Sequence, residues 1–222
     1  MEDKLLNIYL FGDAKVGKTS FIKALLGEII PKKYSKTNET VTIKEEIQVE
    51  KEKYTLILYD IPGDKNIAKE EMQKIKDSDA IIFMYDATNI DSLKFILELM
   101  KYAKKTTELN CKKFVLGTKI DLEEKIKISN KDAFINSGRF FRIKTYFRIS
   151  SIKMKGVYEV MSLIIKVLLG KGNYFNESIL VRKKNINIIN NQIVNYNCKV
   201  RCQRCCESCW CWHAVGCDLC CL

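Results

Sequence analysis

Six short apolar runs separated by longer amphipathic stretches leave this chain few architectures. Residues 5–11, 41–49, 54–59, 80–85, 114–116 and 145–149 have the alternating or fully apolar character of strands. Residues 19–26, roughly 67–75, 90–103, 130–137 and 157–169 have the period of helices. A strand reached from its predecessor through a helix runs parallel to it. The alternation therefore predicts an α/β fold, a three-layer sandwich whose six-stranded, mostly parallel sheet is flanked by five helices. Residues 41–59 interrupt the pattern with two strands joined around residues 50–53, too few for a crossover helix. That pair is expected to be a hairpin, which makes one edge strand antiparallel.

In sheets of this kind ligands bind beyond the carboxyl ends of the strands. Past the first strand stands Gly12-Asp13-Ala14-Lys15-Val16-Gly17-Lys18-Thr19-Ser20, which satisfies the phosphate-loop pattern G-x-x-x-x-G-K-[ST]. Its glycines let backbone N–H groups curl around phosphates, Lys18 reaches the β/γ oxygens, and the Thr19 hydroxyl suits Mg²⁺. The helix that follows presents its positive end to the same anion. Past the fifth strand comes Thr118-Lys119-Ile120-Asp121. A carboxylate there accepts both donors of the guanine N1 and N2 edge, which adenine lacks, while the lysine stem packs along the base. Leaving those groups unpaired penalises adenine. Asp60 ends the third strand in Asp60-Ile61-Pro62-Gly63-Asp64, a stretch that is also ordinary turn chemistry.

These motifs, together with Tyr85-Asp86-Ala87-Thr88-Asn89 and Ser150-Ser151-Ile152, occur in the order and spacing of the Ras superfamily of small GTPases, which the chain resembles over residues 4–169. The resemblance implies a P-loop G domain binding GTP or GDP with Mg²⁺. It assigns Asp60, Thr19 and Thr37 to the metal, and Gly63 and Tyr34 to the phosphates together with residues 12–20. Thr118, Lys119, Asp121, Ser150, Ser151 and Ile152 go to the guanine. Thr37 lies eighteen residues after Thr19, where the family keeps its γ-phosphate-sensing threonine, and Thr40 is its rival in the same polar loop. Partners implied are effectors, an exchange factor and an activating protein, all reading residues of about 30–42 and 61–76.

Departures from the family pattern are informative. Position 64 should be the glutamine that orients the attacking water, and it is Asp64. Aspartate is shorter and anionic, so with Lys18 as the other catalytic candidate the expectation is slow intrinsic GTP hydrolysis. At the extreme the chain is a GTP-loaded scaffold without turnover. Ile30 stands where relatives often place an aromatic against the base, Ala14 replaces a glycine, and Ile61 and Pro62 replace Thr and Ala beside the second switch. The closest likeness is to the Rab, vesicle-trafficking branch, with atypical switches.

Composition qualifies the ends. The net charge of +11 is spread along the chain without an aromatic-basic nucleic-acid motif, so no nucleic-acid partner is expected. Charged residues at Glu2, Asp3, Lys4, Asp13 and Lys15 interrupt anything like a secretory signal, pointing to a protein made and folded in the cytosol, and the family resemblance implies a monomer. Of the ten cysteines only Cys111 precedes Cys198. Residues 1–169 are therefore read as a reduced G domain and 170–222 as a polar linker with a cysteine-rich tail. The end, Cys220-Cys221-Leu222, lacks a C-a-a-X box but looks like the doubly prenylated terminus of Rab proteins. Two lipids on Cys220 and Cys221 would hold the protein on the cytosolic face of an intracellular membrane. The competing expectation is a zinc-binding adaptor, because overlapping C-x-x-C pairs with His213 satisfy local ligand spacing.

Overall fold

The computed structural model describes residues 4–49, 51–75, 77–106, 111–129, 133 and 146–170. In chain order its elements are β1 (Lys4–Phe11), α1 (Lys18–Leu26), β2 (Val41–Val49), β3 (Glu52–Asp60), α2 (Lys65–Lys74), β4 (Ala80–Asp86), α3 (Ile90–Thr106) and β5 (Lys112–Thr118). A 3-10 turn at Glu123–Lys125, β6 (Tyr146–Arg148) and α4 (Val157–Leu168) complete it. The sheet order is β2-β3-β1-β4-β5-β6. β2 runs antiparallel to β3, and every other neighbouring pair is parallel.

The six strands and the hairpin agree with the pattern of apolar runs. Five helices were expected; among the described residues there are four α-helices, plus the 3-10 turn at Glu123–Lys125 that the sequence pattern does not announce. The helix expected over 130–137 falls outside the described residues except for Ala133. The expected linker and tail, with Cys220, Cys221 and His213, also lie outside them. Among the described residues no helix is long and apolar enough to cross a membrane.

Strand alternation builds two cores, one on each face of the sheet. Along β4 every residue is buried. Ala80, Ile82 and Met84 enter the core beneath α1 and α4, with Phe21, Leu25, Met161 and Ile164. Ile81, Phe83 and Tyr85 enter the core beneath α2 and α3, with Met72, Ile96 and Met100. A strand covered on both faces has no solvent side, which is why its sequence reads as an unbroken apolar run. Each large aliphatic or Phe side chain in these cores contributes roughly 1.5–3 kcal/mol by leaving water.

The chain leaves β1 for β2 and β3 on one side and returns to β4 on the other, so the strand order reverses at β1. The crevice at the end of β1 is the topological switch point of the sheet. The segments that begin after β1, β3, β4 and β5 all start at this edge.

Candidate functional site

Residues 12–17 join β1 to α1. Gly12 is pressed against β4 so closely that a Cβ would lie 2.4 Å from the Met84 carbonyl oxygen. Gly17, at φ 100°, precedes α1 and no side chain caps the helix, nor is there an acidic residue in its first turn. The first N–H groups of α1 therefore face the loop with their partial positive charge uncompensated by the chain, which is the geometry of an anion site. Lys18 folds over this loop, donating to the carbonyls of Gly12 at 2.8 Å and Asp13 at 2.9 Å. Burial lowers its pKa to about 8, against the opposing pull of the Asp60 and Asp13 carboxylates. Asp13 holds its own corner by accepting from the Ala14 N–H at 2.7 Å.

Three oxygen-bearing side chains from three segments meet beside Lys18. Thr19 Oγ1 donates to Asp60 Oδ2 at 2.5 Å and lies 3.3 Å from Thr37 Oγ1. The first switch loop thus brings Thr37, rather than its rival Thr40, to the start of α1. The other Asp60 oxygen, Oδ1, is buried with no hydrogen-bond partner among the described residues. Burial raises the Asp60 pKa, opposed by the Thr19 hydrogen bond and by Lys18.

Two further contacts close over the loop. Gly63 sits against it so tightly that a Cβ would lie 2.2 Å from the Ala14 nitrogen. Lys15, at φ 63°, holds its ammonium 5.3 Å from the ring centroid of Tyr34, which is 49% exposed. The left-handed backbone costs a side-chain-bearing residue roughly 1–2 kcal/mol. Val16 is buried, and Ser20 is half-buried in the first turn of α1.

Asp64 behaves differently from a water-orienting residue. It is the N-cap of α2, accepting on Oδ1 from the backbone N–H groups of Asn66 at 2.9 Å and Ile67 at 3.2 Å. α2 is then fastened to α3 by the Lys65–Glu98 ion pair and by a hydrogen bond from Gln73 to the Tyr102 hydroxyl.

Past β5, the Thr118 hydroxyl shares its hydrogen between the carbonyls of Val16 at 2.6 Å and Tyr85 at 3.1 Å. Thr118, expected on the guanine, therefore ties β5 to the phosphate loop and to β4 and has no donor left for a base. Ser150 Oγ donates to Asp121 Oδ1 at 2.7 Å and accepts from the Lys153 N–H at 3.0 Å, which fixes the Asp121 carboxylate. Ser151 is buried and Ile152 is 74% exposed on the same loop. Asp86 and Thr88, which carry no assigned role in the sequence reading, belong to this cluster through Lys119. Asp64's cap and Asp86 were missed because their partners are chosen by the folded backbone; an aspartate just before a helical pattern was the available signal for the first.

The model of the Ras family matches residues 7–169. The Caenorhabditis elegans protein "Ras-related protein Rab-28" is 32% identical over 138 residues, covering 58% of this chain and 53% of that protein. "Ras-related protein Rab-13" of Canis lupus familiaris is 27% identical over 169 residues, covering 76% of this chain and 82% of its own. "Ypt/Rab-type GTPase Rab7" of Gibberella zeae is 29% identical over 134 residues, covering 58% of this chain and 65% of its own. The chain therefore spans about half the length of the first of these relatives and about four fifths of the second.

Proposed function

The chain belongs to the Ras family, and on that premise we propose that it is a small GTPase: a GDP/GTP switch of Rab-like type with slow intrinsic hydrolysis. The observation that carries the reading is the meeting of Thr19, Thr37 and Asp60 at the uncapped start of α1, with the Asp121–Ser150 pair at the end of β5. One half suits a polyphosphate, the other a base with two adjacent donors.

The residues present fit Mg²⁺. Asp60 Oδ1 is buried with no hydrogen-bond partner among the described residues, the Thr19 hydroxyl bonds the same carboxylate, the Thr37 hydroxyl lies beside that of Thr19, and all are hard oxygen donors. Mg²⁺ is commonly held by few protein oxygens together with phosphates and water. Thr19, Thr37 and Asp60 would hold it, and when bound it supplies charge neutralisation to the triphosphate. The chain's own groups do the rest. N–H groups of residues 13–20 and the Lys18 ammonium bind the phosphates, Gly63 and Tyr34 close over them, and Asp121 reads the guanine edge with Ser150, Ser151 and Ile152 around it.

Hydrolysis is slow because Asp64 is occupied as a helix cap and has no amide to orient water. The same observation supports a second reading, a GTP-loaded scaffold that recruits partners without turnover. Effectors and regulators read residues of about 30–42 and 61–76. The G domain spans 1–169, and 170–222 tether it to the cytosolic face of an intracellular membrane through lipids on Cys220 and Cys221. The Rab names of the relatives and the terminal cysteine pair support a role in vesicle trafficking.

The test is nucleotide analysis of protein taken from cells, joined to timed single-turnover cleavage. Bound GDP with measurable cleavage supports the switch, and bound GTP with none supports the scaffold. Absence of micromolar GDP or GTP binding by folded protein overturns both.

A further inference from the structure

Lys119 is held by a residue outside the nucleotide-binding loops. Its ammonium donates to Asp86 Oδ2 at 2.6 Å, across 33 residues of sequence. Asp86 is 7% exposed, at the end of the fully buried β4. Its other oxygen accepts from both the N–H and the hydroxyl of Thr88, at 2.8 Å and 2.7 Å. Asp86 is thus anchored on one side by a local turn and aimed on the other at a single cation. Lys119 itself is left-handed at φ 61°, a conformation that a lysine keeps only where its surroundings impose it. The Ala87 N–H donates to the Thr118 carbonyl at 3.1 Å, so the two loops are also joined through their backbones.

We propose that Asp86 is a positioning residue for guanine recognition: it pins the far end of Lys119 so that the aliphatic stem lies as a fixed rail beside the base, and keeps that charge away from the phosphates, which Lys18 serves. The inference rests on the guanine-nucleotide reading above. Preorganising a long side chain removes the cost of ordering it when ligand arrives, so the effect falls on nucleotide retention.

Asp86→Asn separates this role from a purely structural one. Its amide oxygen still accepts from Thr88, while its NH₂ meets the Lys119 donors and cannot hold them. The measurement is the dissociation rate of fluorescent GDP from the full chain, for wild type, Asp86→Asn, Lys119→Met and the double variant, alongside their thermal midpoints. Loss of one charge-assisted bond predicts roughly ten-fold faster release for each single variant, and no further increase in the double. A rate for Asp86→Asn equal to wild type, or multiplicative effects in the double, overturns the inference while wild-type binding preserves the nucleotide reading. A wild type that binds no GDP overturns that reading and the inference with it.

Discussion

Asp64 Oδ1 stands 2.9 Å from the backbone nitrogen of Asn66, so this carboxylate begins a helix, α2. An aspartate in that role stabilises a helix by about 1 kcal/mol, aided by the positive end of the helix dipole. On the reading proposed above, a residue that would orient water is here committed to holding the start of α2. Asp64→Gln should restore cleavage by at least roughly ten-fold in single-turnover assays. It should also lower the thermal midpoint by about 2–4 °C as the cap is lost. Asp64→Asn keeps a capping oxygen and should leave the thermal midpoint near wild type, while raising cleavage less than Asp64→Gln does, because it supplies a neutral amide without the longer reach.

Thr37, the threonine expected from its spacing to Thr19, approaches the Thr19 hydroxyl to 3.3 Å, which supports the metal role proposed for it. Thr37→Ala should raise the Mg²⁺ concentration needed to slow GTP-analogue release by about ten-fold, with a smaller effect on GDP. Thr40→Ala removes a buried hydroxyl that has no partner among the described residues, and should leave this titration unchanged and stability equal or higher.

Gly63 touches the Ala14 backbone with no room for a methyl group. Gly63→Ala must push the second switch away from the phosphate loop, and overpacking of this kind costs about 1–3 kcal/mol. Affinity for a non-hydrolysable GTP analogue should fall by roughly ten-fold or more while GDP affinity changes little. Calorimetric titration of both nucleotides reads the difference.

The Lys15 ammonium over the Tyr34 ring links the phosphate loop to the first switch. An exposed cation–π contact contributes about 0.5–1 kcal/mol, so Tyr34→Leu should speed nucleotide release two- to five-fold or so. Tyr34→Phe keeps the ring and should retain the wild-type rate. Stopped-flow release of a fluorescent nucleotide distinguishes the two.

Tyr9 stacks on Tyr59 with ring centroids 4.1 Å apart, and burial first, then Tyr59, pushes its pKa up to about 12. Between the unfolded value of 10.0 and about 12 the folded state keeps a proton that the unfolded state has released. Stability from this group is therefore complete below the lower value and is lost as pH rises through the higher one. Denaturant midpoints followed from pH 9 upward should fall less steeply in Tyr9→Phe than in wild type.

The fold was legible where burial on two faces dictates composition. β4 reads as an apolar run because every one of its residues is enclosed, and the hairpin reads from a connection too short for a helix. β5 extends to Lys112–Thr118, beyond the three apolar residues that announce it, because it pairs with β4 from Ala80 to Asp86, and register extends past composition. At the site, the phosphate loop was legible since its glycines and lysine sit in one segment. The hydrogen bonds of Thr118 were not, since a hydroxyl bonds whichever carbonyl the fold brings, here that of Val16. The Asp86–Lys119 pair was hidden for the same reason, its partners being set by neighbouring strands.

β2 forms the outer edge of the sheet, with Lys44, Glu45 and Glu46 along its length. An unguarded outermost strand invites copies to stack strand upon strand into fibres. In parallel, in-register stacking each of these ionic side chains would face its own copy, like charge against like, which disfavours that mode of growth.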